Sequence, residues 1–191
     1  MAVMTTGHAL IPTGRPFTVE DLEGMPDDGN RYELIDGVLI VSPAPSWEHQ
    51  EMGFAAGIEL RAACPPDLRV LVAPFAVQTA FDSEVQPDII VARFTDLRSK
   101  NLPKPPVMVG EVLSRSTQLH DRNTKKAHYE RMGVPTCWLL DPTEPGSLTV
   151  FEHSGTGYEQ VAHVVGDEEY AARRPFPVTM VPARLLDGTR P

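Results

Sequence analysis

The sequence contains only two cysteines, Cys64 and Cys137, far apart and in no Cys-x-x-Cys arrangement. That excludes a disulfide framework and a zinc knuckle and fits a reduced compartment. No segment approaches the ~18 apolar residues that a membrane span requires, and Met1 to Pro12 lacks the basic start and long apolar stretch of a signal peptide. A soluble, cytoplasmic protein is therefore expected. No two of the six histidines stand at His-x-His or His-x-x-x-His spacing, so each is expected at the surface or at a helix cap. A Gly-rich phosphate loop is also missing, which leaves a sugar- or nucleotide-binding enzyme without support. Positive charge is scarce: 17 Lys and Arg against 26 Asp and Glu give a net charge of −9 and a pI near 5.1. A chain so acidic repels a polyanion on average, because affinity for nucleic acid comes largely from cations that neutralise phosphates.

At 191 residues, 41% of them apolar and 23% charged, the chain has the length and composition of one globular domain. Residues 1–15 read as a flexible tail without periodicity, and residues 16–191 as a single domain. The cations are unevenly placed, with nine basic residues against four acidic ones between Arg93 and Arg131. Such a segment marks either a phosphate-facing surface or a solvated loop and helix face.

Asp36-Gly37 between the apolar runs Arg31–Ile35 and Val38–Val41 predicts a β-hairpin carrying Glu33. Ser46 caps a predicted helix over Ser46–Ala63 that Pro65-Pro66 stops. Arg69–Val72, Phe75–Phe81 and Asp88–Ala92 are β-type runs, separated by Pro74 and by Asp82-Ser83-Glu84, and suggest a meander. Val107–Leu113 is nearly all apolar, as a strand buried on both faces would be. A basic helix over Asp121–Met132, then a strand over Thr136–Leu140, implies neighbouring parallel strands joined by a crossover. A further hairpin over Leu148–Ala162 and a short element near Val178–Leu186 follow.

Glu111 breaks the apolar pattern of its strand. An ionised carboxylate withdrawn from water is costly unless it is paired or coordinates a cation, so Glu111 is either salt-bridged to the next helix or functional. Asp88 follows Pro87 at a strand start, as a turn aspartate or as a second carboxylate beside Glu111. Two carboxylates on adjacent strands would make a hard-oxygen site suited to Mg²⁺.

Several strings occur in one order: Tyr32-Glu33-Leu34-Ile35-Asp36-Gly37, Pro45-Ser46 before His49-Gln50, Pro87-Asp88, Glu111-Val112-Leu113-Ser114, Asp121 with Lys125 and Tyr129, Gly133-Val134-Pro135, and Trp138-Leu139-Leu140-Asp141-Pro142. Together they resemble the Uma-type restriction endonucleases of bacteria, a branch of the PD-(D/E)XK superfamily, from about Phe17 to Leu186. The resemblance implies an α/β fold, a restriction-endonuclease-like mixed sheet flanked by helices, with extra N-terminal and C-terminal hairpins. It implies that Asp88 and Glu111 hold Mg²⁺ or Mn²⁺. Leu113 stands where many superfamily members place the catalytic lysine, and the Uma-type pattern puts that lysine on the following helix, at Lys125. Glu33 is implied as a further metal or water ligand, with a cross-strand pair to Arg31 or another base as its alternative.

Metal-dependent endonucleolytic hydrolysis of DNA phosphodiester bonds is the expected activity, with Asp88, Glu111, Lys125 and Glu33 catalytic. By resemblance the protein is a homodimer. Lys100, Lys104, Arg122 and Lys126 are expected on the side of the carboxylates, as nucleic-acid contacts. Trp47, Trp138 and Tyr129 are expected to pack rather than stack on bases. The alternative is a binding or scaffold domain that retains the nuclease fold with little activity.

Overall fold

The structure, a computed structural model, describes residues 9–10, 14–114 and 120–189, with side chains for 14–114 and 123–189. The N-terminal tail is not wholly detached: β1 (Ala9–Leu10) lies antiparallel to Val38–Ser42, Ala9 opposite Ile40. A single turn, α1 (Val19–Leu22), is closed by Asp21, whose carboxylate accepts from the Thr18 N–H at 2.7 Å. The hairpin forms as its sequence predicts. Asp36 and Gly37 have φ of 50° and 75°, the paired left-handed conformations of a two-residue turn, and they join β2 (Arg31–Ile35) to β3 (Val38–Ser42) with Ile35 opposite Val38.

Helix α2 (Trp47–Ala63) begins at Ser46, whose hydroxyl accepts from the His49 N–H at 3.4 Å, and stops short of Pro65-Pro66. The next strands, β4 (Leu68–Val72), β5 (Ala76–Ala80), β6 (Ser83–Val85) and β7 (Ile89–Arg93), are not the expected meander. β4 pairs with β7, Val70 opposite Val91, whereas β5 and β6 leave for the sheet of the first hairpin. Alternation explains the departure: β7 is buried on both faces, but β6 buries Ser83 and Val85 while Glu84 between them is only partly covered. The polar stretch Asp82-Ser83-Glu84 thus supplies strand residues as well as a turn.

β8 (Asn101–Leu102) and β9 (Met108–Val112) follow, then a π-helical turn, His120–Lys125, running into α3 (Lys126–Arg131). β10 (Thr136–Asp141) is parallel to β9, Leu139 opposite Glu111, as the strand, helix, strand order implies. The C-terminal hairpin β11 (Ser147–His153) and β12 (Tyr158–Val165) extends that sheet. The ribbon of β13 (Tyr170–Ala172) with β14 (Val178–Met180) and a 3₁₀ segment, Pro182–Thr189, end the chain.

The outcome is a mixed α/β fold with few helices. In place of one mixed sheet there are two of six strands, ordered β1-β3-β2-β6-β5-β8 and β12-β11-β10-β9-β7-β4. One face of the second sheet meets α2 and the C-terminal segments through Met52, Leu60, Ile89, Met108, Trp138 and Leu140. Its other face meets the first sheet and α3 through Ile35, Val77, Ile90, Val109, Tyr129 and Leu139. β9 runs through the middle and buries both of its faces, each large side chain contributing ~1.5–3 kcal/mol. Gly110 lies opposite Ile89, and a Cβ there would come within 3.2 Å of the Ile89 Cβ. Among the described residues no helix is long and apolar enough to cross a membrane.

Candidate active site

Strand register brings the two carboxylates together. Ile89 is opposite Gly110 and Ile90 opposite Val109 in the antiparallel β7–β9 ladder, and continuing by one residue sets Asp88 across from Glu111. Directly opposed residues share a face of the sheet, here the face turned to the first sheet and α3. A hydrogen bond fixes the end of the ladder: the Val112 N–H donates to Asp88 Oδ2 at 2.9 Å.

Each carboxylate has its own cations. Asp88 Oδ1 accepts from Arg31 Nη1 at 3.0 Å, and its Oδ2 lies 3.2 Å from His49 Nε2. Burial alone would raise the Asp88 carboxyl, but the hydrogen bond from His49 and the charges of Arg31, His49 and Lys125 outweigh it and hold the group well below the usual carboxylate range. Burial works against the Arg31 charge in turn, and Asp88, Glu33 and Glu111 more than restore it.

Lys125, 3% exposed, closes the last position of the π-helical turn and reaches across to β9 and β2. Its Nζ lies 3.3 Å from Glu111 Oε1 and 2.8 Å from Glu33 Oε2, the latter an ion pair without hydrogen-bond alignment. Glu33 Oε1 accepts from the Gln86 N–H at 2.7 Å. One turn along α3, the Tyr129 hydroxyl donates to Glu111 Oε1. Burial, then the charges of Glu111 and Glu33, push the Tyr129 phenol far above its ordinary value, so it stays a donor.

These groups line a cleft of about 750 Å³ whose polar wall includes Arg31, Glu33, His49, Asp88, Glu111 and Lys125. The four side chains that the sequence singled out as catalytic are therefore gathered in one place. The cations expected as nucleic-acid contacts do not line this cleft: Lys100 lines a second cleft that shares Arg31 with it, Lys104 is paired with Asp96 at 2.6 Å, and Lys126 sits 4.3 Å over the Phe151 ring. The side chain of Arg122 lies outside the described residues.

Sequence reasoning missed three members of the site. His49 was expected at a surface or cap, yet it is buried on Asp88. Arg31 was read as a partner of Glu33, and it holds Asp88 instead. Tyr129 packs as expected but also bonds Glu111. His49 and Tyr129 stand inside the strings that carry the family resemblance, which was the available signal, and Arg31 immediately precedes one of them. Trp138 is wholly buried as expected, whereas Trp47 is 58% exposed and does not pack as its type suggests.

Among the described residues no group of three or more His, Cys, Asp or Glu side chains is gathered to hold a metal ion. Two opposed carboxylates remain as the donor set, and that set fits Mg²⁺ or Mn²⁺, which take one or two carboxylates and fill their other positions with water and phosphate oxygens.

No curated protein matches the chain. A crystal structure from Anabaena variabilis ATCC 29413, described as “a putative nuclease belonging to DUF820”, superposes with a TM-score of 0.65 at 19% identity, over 85% of this chain and 90% of the other. That likeness shows a shared fold. Residues 19–183 match the Uma2 family, described as “Putative restriction endonuclease”, and since the match spans most of the chain and every named side chain of the cleft, the chain belongs to that family.

Proposed function

We propose that residues 16–191 form one domain that hydrolyses phosphodiester bonds of DNA with the help of Mg²⁺ or Mn²⁺. The observation that carries this reading is the placement of Asp88 and Glu111 opposite each other at one end of a ladder, with Lys125 reaching Glu111 and Glu33 in the same cleft. Asp88 and Glu111 would hold the ion, which when bound supplies positive charge at the phosphate oxygens and makes a water more acidic. Lys125 orients the attacking water and offsets charge that builds on the phosphate. Glu33, tied down by the Gln86 N–H, keeps Lys125 aimed into the cleft and accepts a proton from the water. Tyr129 holds Glu111 in its rotamer, and Arg31, at the cleft wall, is placed to receive a phosphate oxygen once Asp88 turns to the ion.

A homodimer belongs to this reading. α2 leaves Phe54 and Ile58 exposed, and the edge strand β4 leaves Val72 exposed. Sedimentation showing only monomer, with and without DNA, removes that part. A catalytically silent scaffold is the competing reading, favoured by the fact that each carboxylate already has a cation of its own.

The deciding experiment is nicking of supercoiled plasmid across a Mg²⁺ and Mn²⁺ titration, comparing wild type with Asp88→Asn and Lys125→Ala. Metal-dependent cleavage reduced by ~10²-fold or more in both variants is expected. Cleavage absent from wild type at every metal concentration supports the scaffold.

A further inference from the structure

A second cleft, of about 630 Å³, opens on the outer face of the first sheet and shares Arg31, Pro43, Ala44 and Pro45 with the catalytic one. Register defines its floor. Gln78 is opposite Glu84 in the β5–β6 pair, Glu84 is opposite Leu34 on β2, and Asn101 on β8 is opposite Ala76, two residues before Gln78. Alternation then puts Tyr32, Glu84, Gln78 and Asn101 on one face in two staggered rows, Glu84 and Gln78 level with Leu34, and Tyr32 and Asn101 each two residues along from that level. The opposite face holds Ile35, Val77, Val85 and Leu102 in the core.

These side chains have fixed geometry. Asn101 Nδ2 donates to Gln78 Oε1 at 2.6 Å, and the Tyr32 hydroxyl donates to Asp28 Oδ2 at 2.8 Å. Val19, Leu22 and Met25 form an apolar wall beside them. Charge indicates what the cleft can take. Glu23, Asp27 and Glu84 line it against Arg31 and Lys100, a poor balance for a phosphate. Burial, then the charge of Glu23, raises the Glu84 carboxyl. An aromatic ring beside amides and carboxylates suits a flat, neutral ligand that donates hydrogen bonds. An unpaired nucleobase with an exocyclic amino group has that chemistry: aromatic side chains stack on bases, amides pair with adenine, and carboxylates accept from cytosine.

We infer that this face is a nucleotide platform that receives an unpaired, amino-bearing base next to the scissile phosphate. The inference rests on the nuclease reading for its polymer, and it makes the substrate single-stranded or locally opened DNA. The base enters without strand opening in single strands, whereas in a duplex it must first be unstacked.

The test has two arms. In the first, fluorescence anisotropy in Ca²⁺ measures binding of one labelled 12-mer as a single strand and as a duplex. Wild type is expected to hold the single strand at least ~10-fold more tightly, Tyr32→Ala to lose ~10-fold on the single strand, the lower range for loss of one stacked base, and Tyr32→Phe to retain it. In the second arm, ligand-observed NMR with free deoxyadenosine and thymidine reads the platform without any polymer, and only deoxyadenosine is expected to bind. Equal binding of both DNA forms, or a Tyr32→Ala variant that melts like wild type and keeps the preference, overturns the platform. Deoxyadenosine binding by a protein that neither binds nor cleaves DNA retains the platform for free nucleosides and removes the nuclease reading. Plasmid cleavage with no nucleoside binding does the reverse.

Discussion

The Nζ of Lys125 stands 2.8 Å from Oε2 of Glu33, and neither side chain is more than 4% exposed. Since the same Nζ also reaches Glu111, one ammonium serves two carboxylates, and the three are not equivalent on removal. Lys125→Met takes the ammonium away from two buried carboxylates and is expected to cost ~3–5 kcal/mol in metal-free urea unfolding, whereas Glu111→Gln leaves Lys125 its ion pair with Glu33 and is expected to cost less. Added Mg²⁺ should restore part of the loss in Lys125→Met. Equal costs would show that Lys125 and Glu111 form an exclusive structural pair.

Tyr129→Phe removes one hydrogen bond to a buried carboxylate and little else. A loss of ~1.5–3 kcal/mol is expected from its unfolding curve. If Tyr129 only packs, the variant unfolds with the wild-type midpoint and cleaves at the wild-type rate.

If Asp88 holds the ion as proposed, Arg31 competes with it for that carboxylate. Replacing Arg31 by Ala frees Oδ1, so Mn²⁺, followed by electron paramagnetic resonance, is expected to bind several-fold more tightly to the metal-free variant. DNA cleavage should fall nonetheless, because the cation facing the phosphate is gone. Unchanged or weaker Mn²⁺ binding would mean that Arg31 does not restrain the site.

Two pH windows follow, one from burial and one from charge pairing. His128 is held below its ordinary value of 6.5 chiefly by desolvation, so the unfolded chain takes up a proton first as pH falls below 6.5, and stability drops until the folded-state value is passed. Asp88 is depressed as a carboxylate; its stabilisation is complete above an ordinary aspartate value of 3.8 and disappears only as acidity passes the folded-state value. Thermal melts from pH 7.5 to 5.5 should therefore show a decline that His128→Phe flattens and Asp88→Asn leaves in place.

Local chemistry made much of the architecture readable. Asp36-Gly37 announced the first turn, Ser46 and Pro65-Pro66 bounded α2, and the lone Glu111 in an apolar strand marked the site. Pairing partners were not readable, because alternation in β5 and β6 shows that one face is buried but not against which sheet. The same limit hid His49 and Arg31: a histidine one turn into a helix and an arginine at a strand start look ordinary until distant segments place Asp88 between them. The charge count carried no such geometry either: it could not show that Lys104 pairs with Asp96 and Lys126 lies over Phe151.

Asp88 and Glu111 owe their separation to the spacing of neighbouring strands, about 4.7–4.9 Å in any sheet, and not to the length or conformation of a loop. Loops around the cleft can thus be lengthened, shortened or exchanged in engineered variants while the backbone spacing that sets the two residues side by side stays constant. The sensitive dial is Gly110, where even a methyl group would press on Ile89 and widen the ladder beside both carboxylates. If Asp88 and Glu111 hold the ion as proposed, a collection of Gly110→Ala and Gly110→Ser variants would therefore shift the preference between Mg²⁺ and the larger Mn²⁺ while leaving both carboxylates in place.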